Sequence, residues 1–521
     1  MNVLLITPET YHPSSKVEAD VCIIGSGAGG SIAAAKIVKK GYSVVILEKG
    51  PYVNQSDFTQ RQKEIVPRLY EGSGAQATDD LSMAILQGSV YGGSTTVNWM
   101  TSLATPDYVL DQWVNQFKLN EYDLGSMQRH SKEVSERLKV HRVDELSHNP
   151  QNLMLLKGSE KLGFHAYTSY NNSVNCIGCG HCGLGCTYNA KQDMRLTYLQ
   201  DALSQGIEIF TSTKASKIKY KSSSKQVIHA VMTLENDRFI TFEVHTEKTI
   251  VSASAIATPL LLQKSKLTAG GTVGKHLQLH PVSGVFGIFE DKMYPTSGIP
   301  QSVVVDEYLN MDGNGYGFWL ETPDLEPFLA GAYYPGMGIE RREELKQLNN
   351  MGVIITLVRD GANGKSTVSN GEVKWRRGFN LQNGSFSLGL VPSIRYKISK
   401  PDLRHLLKGL EVSVKIALAS GAKRVLTVHN QKTDIRNTVD AKIVHSLPSG
   451  PNQLGMFSAH PTGTSRMGMD TKSSVVDQTC EMHNYPGVFV MDGSIVPTAP
   501  GVNPMITILS MVSRAIEIGE W

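Results

Sequence analysis

Long apolar runs are missing from this sequence. No stretch approaches the roughly 18 consecutive apolar residues that a spanning helix needs, so a helical membrane span is not expected. An excess of charge of one sign is missing too. The 51 Lys+Arg stand against 48 Asp+Glu, a formal +3, and no window holds a long run of like charge, which excludes a nucleic-acid track. Cysteine is scarce: six residues in 521 cannot build a disulfide scaffold. The first residues, MNVLLITPETYHPSS, include a short apolar run with no basic segment before it and no small-residue cleavage site after it. They do not read as a signal peptide, and with the clustered cysteines they point to a reducing cytoplasm. Internal repeats and low-complexity segments are also lacking.

What is present describes a two-domain globular enzyme. At 521 residues the chain exceeds the roughly 250–300 at which single cores stop growing. An apolar run over 21–24 stops at Gly25-Ser26-Gly27-Ala28-Gly29-Gly30, a helix is expected over 31–40 up to Gly41, and a second apolar run over 43–47 ends on Glu48. This is strand, glycine turn, helix, strand, acid: the dinucleotide half-fold. Gly25 permits the tight turn, Gly27 lets backbone N–H groups approach a pyrophosphate, and Gly30 lets helix and strand pack closely. Glu48 stands where a carboxylate can accept both hydroxyls of an adenosine ribose. The fingerprint alone does not separate FAD from NAD.

From 285 to about 449 the text turns to aromatic segments interrupted by Pro and Gly, which predicts a strand-rich insert. A helix is expected over 403–420. The aromatic residues of 316–334 either line a pocket for a lipid or terpenoid alcohol or form core. The C-terminal part resumes the style of the N-terminal one. His460 precedes Pro461 and is pushed extended, opening a glycine-containing turn. A strand over 488–491 ends at Asp492-Gly493, where bare backbone can approach a phosphate or ribityl chain. Asn503 is placed as N-cap and Pro504 as first residue of a terminal helix over 504–518. These signals assign 1–110, 190–282 and 455–521 to a discontinuous α/β cofactor domain of Rossmann type. Residues 111–189 and 283–454 fall to an α+β substrate domain with an antiparallel sheet and a cysteine-rich insert.

That insert reads Cys176-Ile-Gly-Cys179-Gly-His-Cys182-Gly-Leu-Gly-Cys186. The spacing matches the ferredoxin CxxCxxCxxxC run, with Thr187 in place of the usual proline and no second run elsewhere. An iron–sulfur cluster, a structural zinc, and a disulfide or free-thiol loop all remain open as readings. Cys22 and Cys480 look like ordinary small apolar residues.

Four motifs resemble the glucose–methanol–choline (GMC) family of FAD oxidoreductases, across nearly the whole chain. Gln87-Gly88-Ser89-Val90-Tyr91-Gly92-Gly93-Ser94-Thr95-Thr96-Val97-Asn98 is similar to the family's first signature. The segment from Ala253 to Leu262 is similar to its second, with Ser254 where the family commonly has glycine. Val273-Gly-Lys-His-Leu-Gln-Leu-His280-Pro281 and the block from Ser458 to Ile508 complete the match. The resemblance implies FAD as cofactor, with Gly88, Gly92, Gly93 and Asn98 against the flavin and the helix start at Asn503-Pro504 aimed at its pyrimidine edge. It implies His460 as base on a substrate hydroxyl and Asn503 as the group holding the same oxygen. It also implies a small-molecule alcohol as substrate and a quinone, a small redox protein or oxygen as external electron acceptor. A cluster at the cysteines would favour a dehydrogenase over an oxidase. His280 and His483 are expected to be structural. The rival readings are an NAD-dependent dehydrogenase and a non-catalytic redox-relay flavoprotein.

Overall fold

The computed structural model describes residues 5–11, 16–234, 238–361, 371–382 and 385–521. One eight-stranded sheet carries, in order, Leu5–Ile6, Glu208–Phe210, Val44–Leu47, Lys16–Ile24, Phe239–Val251, Lys225–Thr233 and Thr213–Ser222, with Val488–Val490 also paired to Phe239–Val251. Its central pairs are parallel, and Lys225–Thr233 runs antiparallel to both neighbours. Val21 to Ile24 and Val44 to Leu47 are all buried, as strands covered on both faces must be, which is why they read as unbroken apolar runs. Helix Ala28–Ile37 follows the glycine turn, continues as a 3-10 turn over Val38–Lys40, and stops at Gly41 in a left-handed conformation, φ 94°. The last helix, Met505–Ile518, packs against this helix and against Leu124–Arg137, so the two ends of the chain close one core.

The second eight-stranded sheet runs Ala84–Ile85, Phe457–Ser458, Val282–Ile288, Met351–Val358, Phe318–Glu321, Val303–Val305 and Ala166–Thr168, with Arg424–Thr427 also on Val282–Ile288. All its pairs are antiparallel except Phe457–Ser458 with Ala84–Ile85. Helix Lys400–Ala419 covers one face so closely that a Cβ on Gly409 would lie 2.1 Å from Thr356 Cγ2. Thr356 pairs with Leu320, so their neighbours Trp319, Glu321, Ile355 and Leu357 project from the opposite face. A three-stranded sheet of Lys275–Leu277, Gly371–Gln382 and Ser385–Tyr396 lies beside it.

Two expected boundaries move. Helices Asp107–Phe117 and Leu124–Arg137 lie in the first core, where Val109, Trp113, Phe117, Met127 and Val134 join the buried strands, although 111–189 was placed on the substrate side. Phe457–Ser458 belongs to the second sheet although 455–521 was placed in the cofactor domain. Each piece follows its apolar side chains or strand pairing to the nearer core, and a linear boundary cannot express that.

Candidate active site

The glycines of the first turn divide by what a side chain would meet. On Gly25, at φ 106°, a Cβ would lie 2.2 Å from the Ser252 carbonyl oxygen, and on Gly30 it would lie 2.0 Å from that of Gly25. Both are required by packing. Gly27, at φ −70°, would bring its Cβ no nearer than 3.9 Å to Gly93 Cα. Nothing in the protein demands glycine there, and Gly27 and Gly93 leave a bare cradle at the start of helix Ala28–Ile37. The cradle is sewn together by Ser26: Gly92 N donates to Ser26 Oγ at 3.0 Å, and Ser26 Oγ and N donate to Glu48 Oε2 at 2.7 and 2.8 Å. Gly50 N donates to Glu48 Oε1 at 2.6 Å. Burial raises the pKa of Glu48 against these hydrogen bonds. With two bonds on Oε2 and one on Oε1, acceptor capacity remains on Oε1, which fits one ribose hydroxyl rather than the two expected. Helix start, bare glycine and buried acid together fit a dinucleotide pyrophosphate and ribose.

Gly88 serves the loop itself, since a Cβ there would sit 2.8 Å from Gly93 O and Ser94 Cα. Asn98 donates from Nδ2 to Met505 Sδ at 3.2 Å, so the first signature meets the last helix. Asp492 is committed to the protein: Oδ1 accepts from Ser494 N and Oγ at 2.8 and 2.5 Å, and Oδ2 from Ser254 N and Thr258 Oγ1 at 2.9 and 2.5 Å. Gly493 lies against the carbonyl of Pro461, 3.2 Å from its would-be Cβ. Ser254 has φ 93°, a left-handed value that favours the glycine it replaces.

The last helix begins at Met505 with Pro504 as its N-cap and no side-chain cap, which corrects the placement of Asn503 as cap. The Asn503 amide is thereby free to face the second domain. Its Oδ1 is buried without a hydrogen-bond partner, as are Glu321 Oε1, Trp319 Nε1 and His280 Nε2. Trp319, Asn503 and Gln301 face the Glu321 carboxyl, whose pKa burial raises to about 7. Gln301 Nε2 donates to Glu321 Oε2 at 2.6 Å and its Oε1 accepts from Thr101 Oγ1 at 2.5 Å. Trp319 and the Asn503 amide are thus turned to Glu321, while Asn503 Oδ1 and His280 Nε2 stay without a partner, as a buried site for a polar reacting group requires.

His460 meets His280 there, Nδ1 to Nδ1 at 3.2 Å. Burial lowers the pKa of His460 to about 4 and that of His280 well below the histidine range. His280 is fixed by Asp360, which accepts from the amides of Leu279 and His280 at 3.0 and 3.2 Å and from Tyr396 Oη at 2.8 Å, and by Trp319, 4.8 Å between ring centroids. Between two neutral imidazoles one Nδ1 donates and the other accepts. If His460 donates, its Nε2 keeps a lone pair for a substrate proton, and His280 holds it in that tautomer. The expectation that His280 is merely structural is revised. His483, by contrast, bonds Ser474 Oγ and the Gly468 carbonyl at 2.9 and 3.0 Å, away from this group.

All four clustered cysteines, Cys176, Cys179, Cys182 and Cys186, line one small cavity with Lys191, and all are free thiols. Burial raises the pKa values of Cys176, Cys179 and Cys182. Among the described residues, however, no three Cys, His, Asp or Glu side chains converge as metal ligands. His181 Nδ1 is instead bonded to Glu326 at 2.7 Å, and Cys176 and Cys186 Sγ accept from the Gly178 and Lys191 amides at 3.5 Å. As placed, the four thiols do not fit a cluster or a zinc ion, and no step is routed through one. Fully buried Lys191 braces the loop, donating to the carbonyls of Asn98 and Cys182 at 2.9 Å each.

The GMC oxidoreductase N-terminal and C-terminal family models match residues 66–282 and 369–511. The chain belongs to the GMC oxidoreductase family. A NAD(P)-binding Rossmann-like model also matches 23–68 of this GMC oxidoreductase. It is 30% identical to long-chain-alcohol oxidase FAO4B of Arabidopsis thaliana over 95% of its own length, and spans 66% of that relative. It is 28% identical to an uncharacterized GMC-type oxidoreductase of Mycobacterium tuberculosis, covering 95% of this chain and 75% of that one. Among solved structures it resembles pyridoxine 4-oxidase from Mesorbium loti, with TM-score 0.69, 16% identity and 96% and 99% of the two chains covered. Formate oxidase of Aspergillus oryzae RIB40 matches with TM-score 0.68, 15% identity and 97% and 98% covered.

The GMC oxidoreductase also holds an apolar cavity, to which the stretch 316–334 contributes Tyr333. Trp99, Val285, Phe286, Leu329, Tyr333, Val353, Ile355 and Phe457 line it, with Asp324 as the single carboxylic acid of the lining. Burial raises the pKa of Asp324 well above the carboxylate range. Ile355 pairs with Glu321, so the cavity adjoins the His460 site across one strand pair. Two signals for the missed residues were visible: His280-Pro281 repeats the dipeptide His460-Pro461, and Glu321 is a lone acid ending an apolar strand. Among the described residues no helix is long and apolar enough to cross a membrane.

Proposed function

We propose that this chain is an FAD-dependent alcohol oxidase acting on long-chain primary alcohols. The observation that carries the reading is the pairing of His460 with His280, Nδ1 to Nδ1 at 3.2 Å. The cradle of Gly27 and Gly93 and the Glu48 carboxylate would hold the dinucleotide, and FAD, when bound, supplies the hydride acceptor. The chain supplies position and proton transfer. The Asn503 amide N–H donates to the hydroxyl oxygen, and His460 Nε2 takes its proton as the carbinol C–H bond breaks; the positive charge left on His460 is shared through Nδ1–H with neutral His280. The partly closed surroundings that lower the His460 pKa also keep it unprotonated at neutral pH.

The substrate class rests on the apolar cavity and on the printed activity of the Arabidopsis relatives. Oxygen is proposed as the acceptor on the printed oxidase activity of those relatives, giving RCH2OH + O2 → RCHO + H2O2. The test is anaerobic bleaching of the yellow holoenzyme by decan-1-ol, followed by peroxide release on admitting air. Colourless protein that oxidises the alcohol only when NAD+ is added would overturn the cofactor, and dye or quinone reduction far faster than oxygen uptake would overturn the acceptor.

A further inference from the structure

The apolar cavity has a cover whose outer side is itself apolar. Helix Pro327–Tyr333 lends Leu329 and Tyr333 to the cavity wall. From the same stretch, Phe328, Met337 and Ile339 are 43%, 84% and 80% exposed. The leading end is fastened: Gln62 Oε1 accepts from the Phe328 amide at 2.8 Å and Gln62 Nε2 donates to Glu326 at 2.6 Å. The trailing end is looser. Gly336 and Gly338 take φ 89° and 69°, and a Cβ on Gly331 or Gly338 would meet nothing within 4 Å. An Arg341 guanidinium bond to the Gly331 carbonyl ties the following helix, Gly338–Leu345, to the cover.

Large apolar side chains gathered on the segment that closes a lipophilic cavity mark a surface with an apolar partner. The partner's chemistry follows from the inner side: a molecule that enters this cavity is an alkanol, which resides in a lipid phase. The adjoining helix carries Glu340, Arg341, Arg342, Glu343 and Glu344, charges of both signs, so nothing there selects an anionic surface. We infer that residues 327–339 are the mouth of the cavity and dock on a zwitterionic phospholipid bilayer, from which the substrate enters. The inference rests on the long-chain-alcohol reading.

The test uses the holoenzyme with phosphatidylcholine vesicles and compares wild type with the double variant Met337→Glu/Ile339→Glu. Wild type should co-sediment with vesicles, and the variant should bind at least tenfold more weakly. Turnover of dodecan-1-ol offered in vesicles should fall in proportion, while turnover of butan-1-ol in buffer stays within twofold, showing fold and chemistry intact. Wild type left in the supernatant, or a variant that binds and turns over like wild type, overturns the docking. So does a wild-type dimer that the double substitution breaks in the absence of vesicles. If no long-chain alcohol is oxidised even in detergent while vesicle binding is still lost in the variant, the substrate reading fails and the docking stands.

Discussion

Replacing Gly27 by alanine separates dinucleotide binding from folding. Its φ of −70° and ψ of −168° are open to any residue, and the added methyl would meet only Gly93 Cα at 3.9 Å, an ordinary contact. Gly27 is the N-cap of helix Ala28–Ile37, and alanine is a poorer cap by about 0.5–1 kcal/mol. Against this, alanine restricts the unfolded chain, worth about 0.4–1 kcal/mol in the other direction. The two nearly cancel, so the apoprotein should unfold within a few degrees of wild type. Binding is another matter. A methyl that holds a pyrophosphate off one charge-assisted hydrogen bond, worth about 1.5–3 kcal/mol, weakens affinity by about 10- to 150-fold. Gly29→Ala is the contrasting control: its Cβ would lie 1.8 Å from the Met491 carbonyl oxygen, backbone against backbone, and about 3 kcal/mol or more of stability should go. Thermal unfolding of both apoproteins and titration with FAD decide the matter. Wild-type affinity in Gly27→Ala would refute the cradle, and a loss of stability matching Gly29→Ala would make Gly27 a packing residue.

His460→Ala should bind FAD yet be reduced by decan-1-ol at least ~100-fold more slowly in stopped flow, the usual scale for a lost general base. The pH profile of kcat/KM should fall as pH drops through about 4, where His460 is protonated, and fall again above about 7 as Glu321 acquires negative charge beside the developing alkoxide. In Glu321→Gln the upper fall should vanish and the lower one remain; a profile unchanged by that substitution would remove Glu321 from the site. Among alkanols, kcat/KM should rise about three- to fourfold per methylene until the cavity fills, from ~0.8 kcal/mol per buried CH2, and Val353→Phe should shift the optimum to shorter chains. Protein purified without oxygen should hold well under one iron per chain by elemental analysis, whereas near-equal iron and acid-labile sulfide would restore a cluster at Cys176, Cys179, Cys182 and Cys186.

Which parts of this molecule could be read in advance follows from the range over which each is determined. The glycine turn and its strands were legible because burial on both faces and a tight turn are local demands, met within the stretch from Val21 to Glu48. His460 and Asn503 stand out through their motifs, but the surroundings that set them do not. Asn503 read as a helix cap, and only the start of the helix at Met505 releases its amide toward Glu321. Glu321 ends one strand, and His280 stands just before another, of a sheet whose pairing joins residues far apart in the chain. Glu321 opposes Ile355, and His280 precedes Val282, which opposes both Leu357 and Phe457. A one-residue slip in that register would turn Glu321 toward helix Lys400–Ala419 and leave His460 without a site. The cysteine run is the opposite case. Its spacing is local and clear, yet spacing sets where the Cα atoms lie along the chain and not where the sulfurs aim. Here the Gly178 and Lys191 amides donate to two of the sulfurs, Glu326 bonds the neighbouring histidine, and Lys191 fastens the loop to the carbonyl of Asn98. A spacing shared with ferredoxins is therefore compatible with a loop whose work is to brace the segment that carries Asn98.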